Sequence, residues 1–211
     1  MAQPRTPRKK KPIGINPPCL YTLRIELKPD EIQPVIWRTL DVDGRISLGK
    51  LHHFIQAAFG WTDAHLHDFE IHGRNFAIPS PEDAMYEREV EDERGAVLNH
   101  LVTIGDTFRY RYDFGDDWEH VVTVEEINQN PEHDPHGGAW IVCGERACPP
   151  EDVGGSPGYH AFVETLLAEP HSEEAQRLRD WAGGDFDPEH FDYRSASAAI
   201  LRMLYNGWGG K

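Results

Sequence analysis

Three histidines and a group of aspartates have the types and spacing to do chemistry. His65 and His67 belong to the run His65-Leu-His-Asp-Phe-Glu-Ile-His72, and His120 to Trp118-Glu-His-Val-Val-Thr-Val124. On an extended strand alternate side chains share a face, which puts His65 and His67 together with Cα atoms about 7 Å apart. Two imidazoles so placed hold one metal ion if a third ligand comes from a neighbouring strand. His120 is the candidate third ligand. Asp116 or Asp113 would complete the sphere, or orient an imidazole from behind. The cofactor implied is one divalent transition metal, which could activate water for hydrolysis. The competing account makes these histidines core-edge residues, hydrogen-bonded to backbone or to the aspartates. With 12 histidines in the chain, some pairing by chance is expected.

A second candidate is Cys143-x4-Cys148 with Glu151 and Asp152. Two thiolates and a histidine can hold zinc, but the spacing is wider than the usual two residues and no second pair follows. The plainer account is a loop stiffened by Pro149-Pro150, with Glu151 and Asp152 near the start of a helix, where carboxylates are favoured. Cys148 as a nucleophile needs a base such as His120 or His160, and nothing local supplies one. Two further residues join the candidates. Arg38 falls on the apolar face of Ile36, Leu40 and Val42, where it needs a carboxylate or ligand partner unless it snorkels to the sheet edge. His52 borders the apolar stripe of a helix, whereas His53 points away from it. No phosphate loop, dinucleotide fingerprint or nucleophile elbow is present.

The elements that must position these groups can be read from periodicity. Tyr21, Leu23, Ile25 and Leu27 alternate with polar residues, as in a half-buried strand. Val35–Asp43 predicts a second strand. Ser47 caps a helix through Leu48, Leu51, Ile55, Ala58 and Phe59, and Gly60 ends it. His65–His72 predicts a third strand, and residues 83–88 a short helix in an acidic loop. Leu98–Ile104 reads as a short strand or loop edge. Arg109–Ile127 reads as a long hairpin turning at Gly115-Asp116-Asp117, with Phe108, Tyr110, Tyr112 and Phe114 facing Trp118, His120, Val122 and Val124. After a Pro- and Gly-rich loop, Trp140–Cys143 forms a short strand. Helices are then expected from Ser156, from Ser172 to Ala182, and from Tyr193 to Asn206, with a further possible start at Asp185. The fold class is α+β, a mixed and mostly antiparallel sheet. It has a β-grasp-like start (strand, strand, helix, strand), then the long hairpin, with C-terminal helices packed on the sheet.

Composition narrows the function classes. The 211 residues suit one domain, here residues 19–211, behind a basic, Pro-rich disordered tail at 1–18. Net charge is −15, yet residues 1–11 carry five basic side chains and no acid, so the other 200 hold 16 Lys+Arg against 36 Asp+Glu, a balance of −20. So acidic a body repels a phosphate backbone, and tight DNA binding is not expected of it. No apolar run approaches the roughly 20 residues of a membrane span. The basic start lacks an apolar stretch of the secretory kind. Three cysteines suit a reducing compartment. A cytoplasmic location with no membrane partner follows.

Val35-Ile-Trp-Arg38, Phe59-Gly-Trp61, His65-Leu-His-x-Phe69, Tyr112-Asp-Phe-Gly-Asp-x-Trp-x-His120, Cys148-Pro-Pro-Glu-Asp-x-Gly-Gly155 and Phe186-Asp-Pro188 together resemble one family. It is the plasmid pRiA4b ORF-3-like family of bacterial plasmids and chromosomes, some of whose members are labelled insertion-element passenger or resolvase-like proteins. The resemblance spans roughly residues 19–193. It implies an α+β domain, a bacterial origin and a link to mobile elements, and it implies no reaction. Some members carry a third cysteine where this chain has Val153, which weakens a thiolate metal site. The expected function is a cytoplasmic interaction or regulatory module with an unknown protein partner. The alternative is a metal-dependent hydrolase or nuclease built on the His/Asp cluster.

Overall fold

The computed structural model describes residues 17–28, 30–85, 89–184 and 186–207. Most of the basic tail, the end of the expected helix at 83–88 and the helix start at Asp185 lie outside them. The order is β1 (Leu20–Leu27), β2 (Ile36–Asp43), α1 (Leu48–Phe59), β3 (His67–Ile71), β4 (Arg74–Ala77), α2 (Pro81–Met85) and β5 (Val90–Asp92). A 3-10 turn at Leu98–His100 follows, then β6 (Thr107–Tyr112), β7 (Trp118–Asn128), β8 (Ala139–Glu145), α3 (Gly155–Ala168), α4 (Glu173–Trp181) and α5 (Tyr193–Asn206). The eight strands of the described residues make one mixed sheet, β5-β4-β3-β6-β7-β1-β2-β8. Every neighbouring pair is antiparallel except β4 with β5. The fold is α+β, and the β6–β7 hairpin occupies the middle of the sheet.

The alternation read from sequence is what buries the sheet's inner face. Tyr21, Leu23, Ile25 and Leu27 of β1 are buried beside Trp118, His120, Val122 and Val124 of β7. Helix α1 covers this face with Leu48, Leu51, Phe54, Ile55, Ala58 and Phe59. The Ser47 side chain accepts from the Lys50 N–H, and Gly60 closes the helix at φ 88°, a left-handed conformation that only glycine adopts freely. Helix α5 packs on α1 and on β8, and α3 packs on α4. Among the described residues no helix is long and apolar enough to cross a membrane.

Several local expectations change. β3 begins at His67, so His65 lies ahead of the strand and outside its alternation. Leu98–His100 forms a 3-10 turn, where a strand was an option. Phe114 is exposed, because the chain leaves β6 at Asp113, which turns back with φ 55°. Helix α3 starts at Gly155 behind Gly154, and no side chain caps it. β4 and β5, too short to show a period, had no counterpart in the sequence reading.

Arg38 does not snorkel. It is 1% exposed, and its donors reach four backbone carbonyls: Ala58 at 3.0 Å, Trp37 at 2.7 Å, Glu145 at 2.7 Å and Arg146 at 2.8 Å. Its guanidinium stacks over Phe191 at 3.7 Å and lies 5.0 Å from Phe59. The acceptors are thus carbonyls, where a carboxylate or ligand was expected. One side chain ties the end of α1 to β2, to the end of β8 and to the segment before α5. Gly144 makes the room, since a Cβ there would lie 2.7 Å from Arg38 Cδ.

Candidate metal centre at the hairpin tip

The turn between β6 and β7 is built by its aspartates. Asp113 Oδ1 accepts from the N–H groups of Gly115 at 2.9 Å and Asp116 at 3.3 Å, the local bonding that suits Asp to turns. This leaves Asp113 Oδ2 facing His65 Nε2 at 3.6 Å. The loop 148–155 lies against the same tip. Asp116 Oδ2 accepts from the Gly154 N–H at 3.1 Å, and a Cβ on Gly155 would stand 2.7 Å from the Asp116 carbonyl. That approach brings Glu151 and Asp152 to the imidazole, with Oε2 at 3.8 Å and Oδ1 at 3.2 Å from His65 Nε2. Asp152 is itself held at φ 57°.

Three carboxylates therefore converge on one ring nitrogen that is buried and makes no hydrogen bond. One ligand atom from each of His65, Asp113 and Asp152 lies within 4.8 Å of the others. Ligands bound at about 2.1 Å around one ion sit roughly 3 to 3.6 Å apart, a spacing that the His65 Nε2 distances to Asp113 and Asp152, 3.6 and 3.2 Å, match. Glu151 is the more restrained of the two loop carboxylates. It accepts from the Thr62 N–H at 2.7 Å, the Thr62 hydroxyl at 3.1 Å and the Tyr112 hydroxyl at 3.0 Å. Glu151 thus closes the turn after α1, whereas the helix after the loop was its expected place. Burial, reinforced by that carboxylate, raises the Tyr112 hydroxyl, which stays protonated and donates. Asp152 is mostly exposed, so the cluster opens to water on that side.

The other expected ligands lie elsewhere. His67 stacks on His52 with ring centroids 3.4 Å apart and planes 3° from parallel. His67 Nε2 donates to Glu93 at 2.9 Å, and both residues are buried. His52 Nε2 lies 2.7 Å from Asp63 Oδ1, and its Nδ1 lies 2.8 Å from the Tyr110 hydroxyl. Because Asp63 can only accept, Nε2 carries the proton and Tyr110 donates to Nδ1. Burial pulls His52 down to about 4 despite the Asp63 bond, so the ring is neutral. Burial would raise the Asp63 carboxyl, yet hydrogen bonds from His52 and His53 hold it well below its usual range. His52, Asp63 and His67 are close enough to suggest a second metal group. The stacking argues against it. An ion lies near the plane of each imidazole that binds it, and two parallel planes 3.4 Å apart share no such point.

His120 is wholly buried, edge-on to Phe59 and Trp61 at 4.9 and 5.3 Å. Burial lowers it to about 3, against the Tyr110 carbonyl that its Nδ1 meets at 3.3 Å. Asp116 meets the loop at Gly154. The four residues expected to share a metal (His65, His67, His120 and Asp116) are thus spread over three places, and only His65 stands in the carboxylate cluster. The cysteines do not gather either. Cys143 is exposed on β8, and among the described residues no cysteine joins a group with metal-ligand spacing. Asp63, Glu93 and Thr62 were missed altogether. Their one sequence signal was position, just after α1 or between short strands.

The family model for plasmid pRiA4b ORF-3-like proteins matches residues 20–195. The chain belongs to the plasmid pRiA4b ORF-3-like family. One relative is an uncharacterised protein, y4hQ, of Sinorhizobium fredii (strain NBRC 101917 / NGR234), 33% identical over 86% of this chain and 88% of its own length. A crystal structure of a protein of unknown function, MM3350 from Methanosarcina mazei Go1, is also 33% identical. It aligns with a TM-score of 0.71 over 84% of this chain and 97% of that one. The ORF-3-like family thus fixes kinship and fold and names no reaction.

Proposed function

We propose that this ORF-3-like protein binds one divalent transition metal at the hairpin tip, through His65 Nε2 and the carboxylates of Asp113 and Asp152, with Glu151 beside them. The carrying observation is the buried His65 nitrogen that faces three carboxylates without a hydrogen bond. Carboxylates gathered this closely repel one another, and a cation bound among them and His65 offsets that repulsion. Three protein ligands and an open side leave room for water, whose acidity the ion would raise. The reaction class that follows is metal-assisted hydrolysis.

The test is elemental analysis of untagged protein together with zinc and manganese titration. We expect one equivalent of metal, lost in His65→Ala and in Asp152→Asn and retained in His67→Ala, because His67 belongs to the stacked pair. Protein that takes up no metal, or loses it in His67→Ala alone, refutes the site. Metal-dependent release of p-nitrophenol from activated esters and phosphodiesters then tests the reaction class.

A second reading, a cytoplasmic interaction or regulatory module linked to mobile elements through the family, draws support from β8. This strand lies at the sheet edge, with Trp140 44% and Val142 48% exposed. Edge strands with exposed apolar side chains pair with strands of other chains. Trp140→Glu should leave folding intact and abolish any partner capture that depends on this edge.

A further inference from the structure

A cleft of about 680 Å³ opens between the end of α1, the loop at Cys148 and the segment leading into α5. Phe59, Trp61, Phe186, Phe191 and small alanines of α1 and α5 make the apolar part of its wall, and Asp187, His190, Asp192 and Ser195 the polar part. That size suits a small organic ligand. The loop that supplies Glu151 and Asp152 to the hairpin tip also lines this cleft through Cys148, but the two sites share no residue.

Among the side chains that line the cleft, His190 included, is the guanidinium of Arg38. It is 1% exposed and forms no ion pair among the described residues. A guanidinium has five N–H donors, and four carbonyls accept here, so one donor on Nη2 is left over. Carbonyl dipoles satisfy hydrogen bonds but carry no net charge, so the positive charge is buried without a counter-ion. Cys148 does not supply one, since burial raises its thiol well above the ordinary range and keeps it neutral. The two cleft carboxylates are engaged locally: Asp187 accepts from the Glu189 N–H, and Asp192 accepts from the Ser195 N–H and hydroxyl. The first turn of α5 also lines the cleft, adding the positive end of a helix dipole.

We propose that this cleft binds an apolar monocarboxylate, with its head on Arg38 and its body among Phe59, Trp61, Phe186 and Phe191. A single spare donor suits a monoanion. A phosphate, with its second charge, would meet repulsion from Asp187 and Asp192. The proposal goes beyond the metal reading and does not depend on it.

The experiment is calorimetric titration of the full-length protein with octanoate and with 1-octanol, each with and without EDTA. Octanoate should bind at one site at least about tenfold more tightly than the alcohol, the difference one charge-assisted hydrogen bond makes. EDTA should leave that affinity unchanged. Ala199→Trp, which fills the cleft from α5, should weaken octanoate about tenfold or more. Asp187→Asn should tighten it by removing a like charge. Equal affinity for acid and alcohol, an unaltered affinity in Ala199→Trp, or no saturable octanoate binding would overturn the proposal. Loss of octanoate binding on EDTA treatment would also overturn it, by placing the acid on a metal.

Discussion

Acidification should destabilise the protein well above the range where carboxylates titrate, and the cause lies in two neutral histidines. Burial holds His52 at about 4 and His120 at about 3, against an ordinary value of 6.5. Both are lowered, so at pH 5 the unfolded chain carries two protons that the folded chain excludes. Stability is then full above the unfolded value of 6.5 and falls as pH drops towards the folded values. At about 1.4 kcal/mol per pH unit, lowering pH from about 7.5 to about 5 costs about 2 kcal/mol per histidine and about 4 kcal/mol together. Domains of this size are stable by about 5 to 15 kcal/mol, so the loss is a large share. The depressed carboxyls, Asp43 and Asp63 among them, act lower, because their contribution fades only as pH falls below their ordinary 3.8. The assay is urea unfolding at pH 7.5, 6 and 5 on wild type and His120→Phe. Phenylalanine keeps a ring among Phe59, Trp61 and Tyr110 and removes one titration, so the pH-dependent loss should fall by about half. Wild-type stability that stays constant to within about 1 kcal/mol over this range, or an equal loss in His120→Phe, would refute the reasoning.

Arg38→Met should cost at least about 4 kcal/mol in urea unfolding, because four carbonyls lose their donor in a buried site. Arg38→Lys should recover only part of it, since an ammonium has three donors and no fork. Gly155→Ala places a Cβ 2.7 Å from the Asp116 carbonyl at φ 67° and should cost about 1 to 3 kcal/mol, with metal uptake at the tip reduced as the loop moves away. A truncated chain of residues 19–211 should not shift duplex DNA at physiological salt in a gel assay. Any weak retention by the full chain should vanish without Arg5, Arg8, Lys9, Lys10 and Lys11.

The sequence alone determined what depends on near neighbours. Alternation at Tyr21–Leu27 and Tyr110–Val124 marks strands because successive side chains must face opposite ways. Ser47, Gly60 and Ser172 mark helix ends because a hydroxyl or a left-handed glycine meets backbone groups within one turn. The same pattern put Arg38 and His120 on an inner face. The tertiary structure alone decided what those side chains meet there. Arg38 binds carbonyls of residues 58, 145 and 146, and His65 faces carboxylates at 113, 151 and 152. His67, two residues after His65, was drawn into a separate pair with His52 because β3 starts at His67 and His65 precedes it. Period-two arithmetic holds only while the chain stays extended. Which histidine finds which carboxylate is settled by sheet order, the turn at Asp113 and the close approach of Gly155, none of which is a property of neighbouring residues.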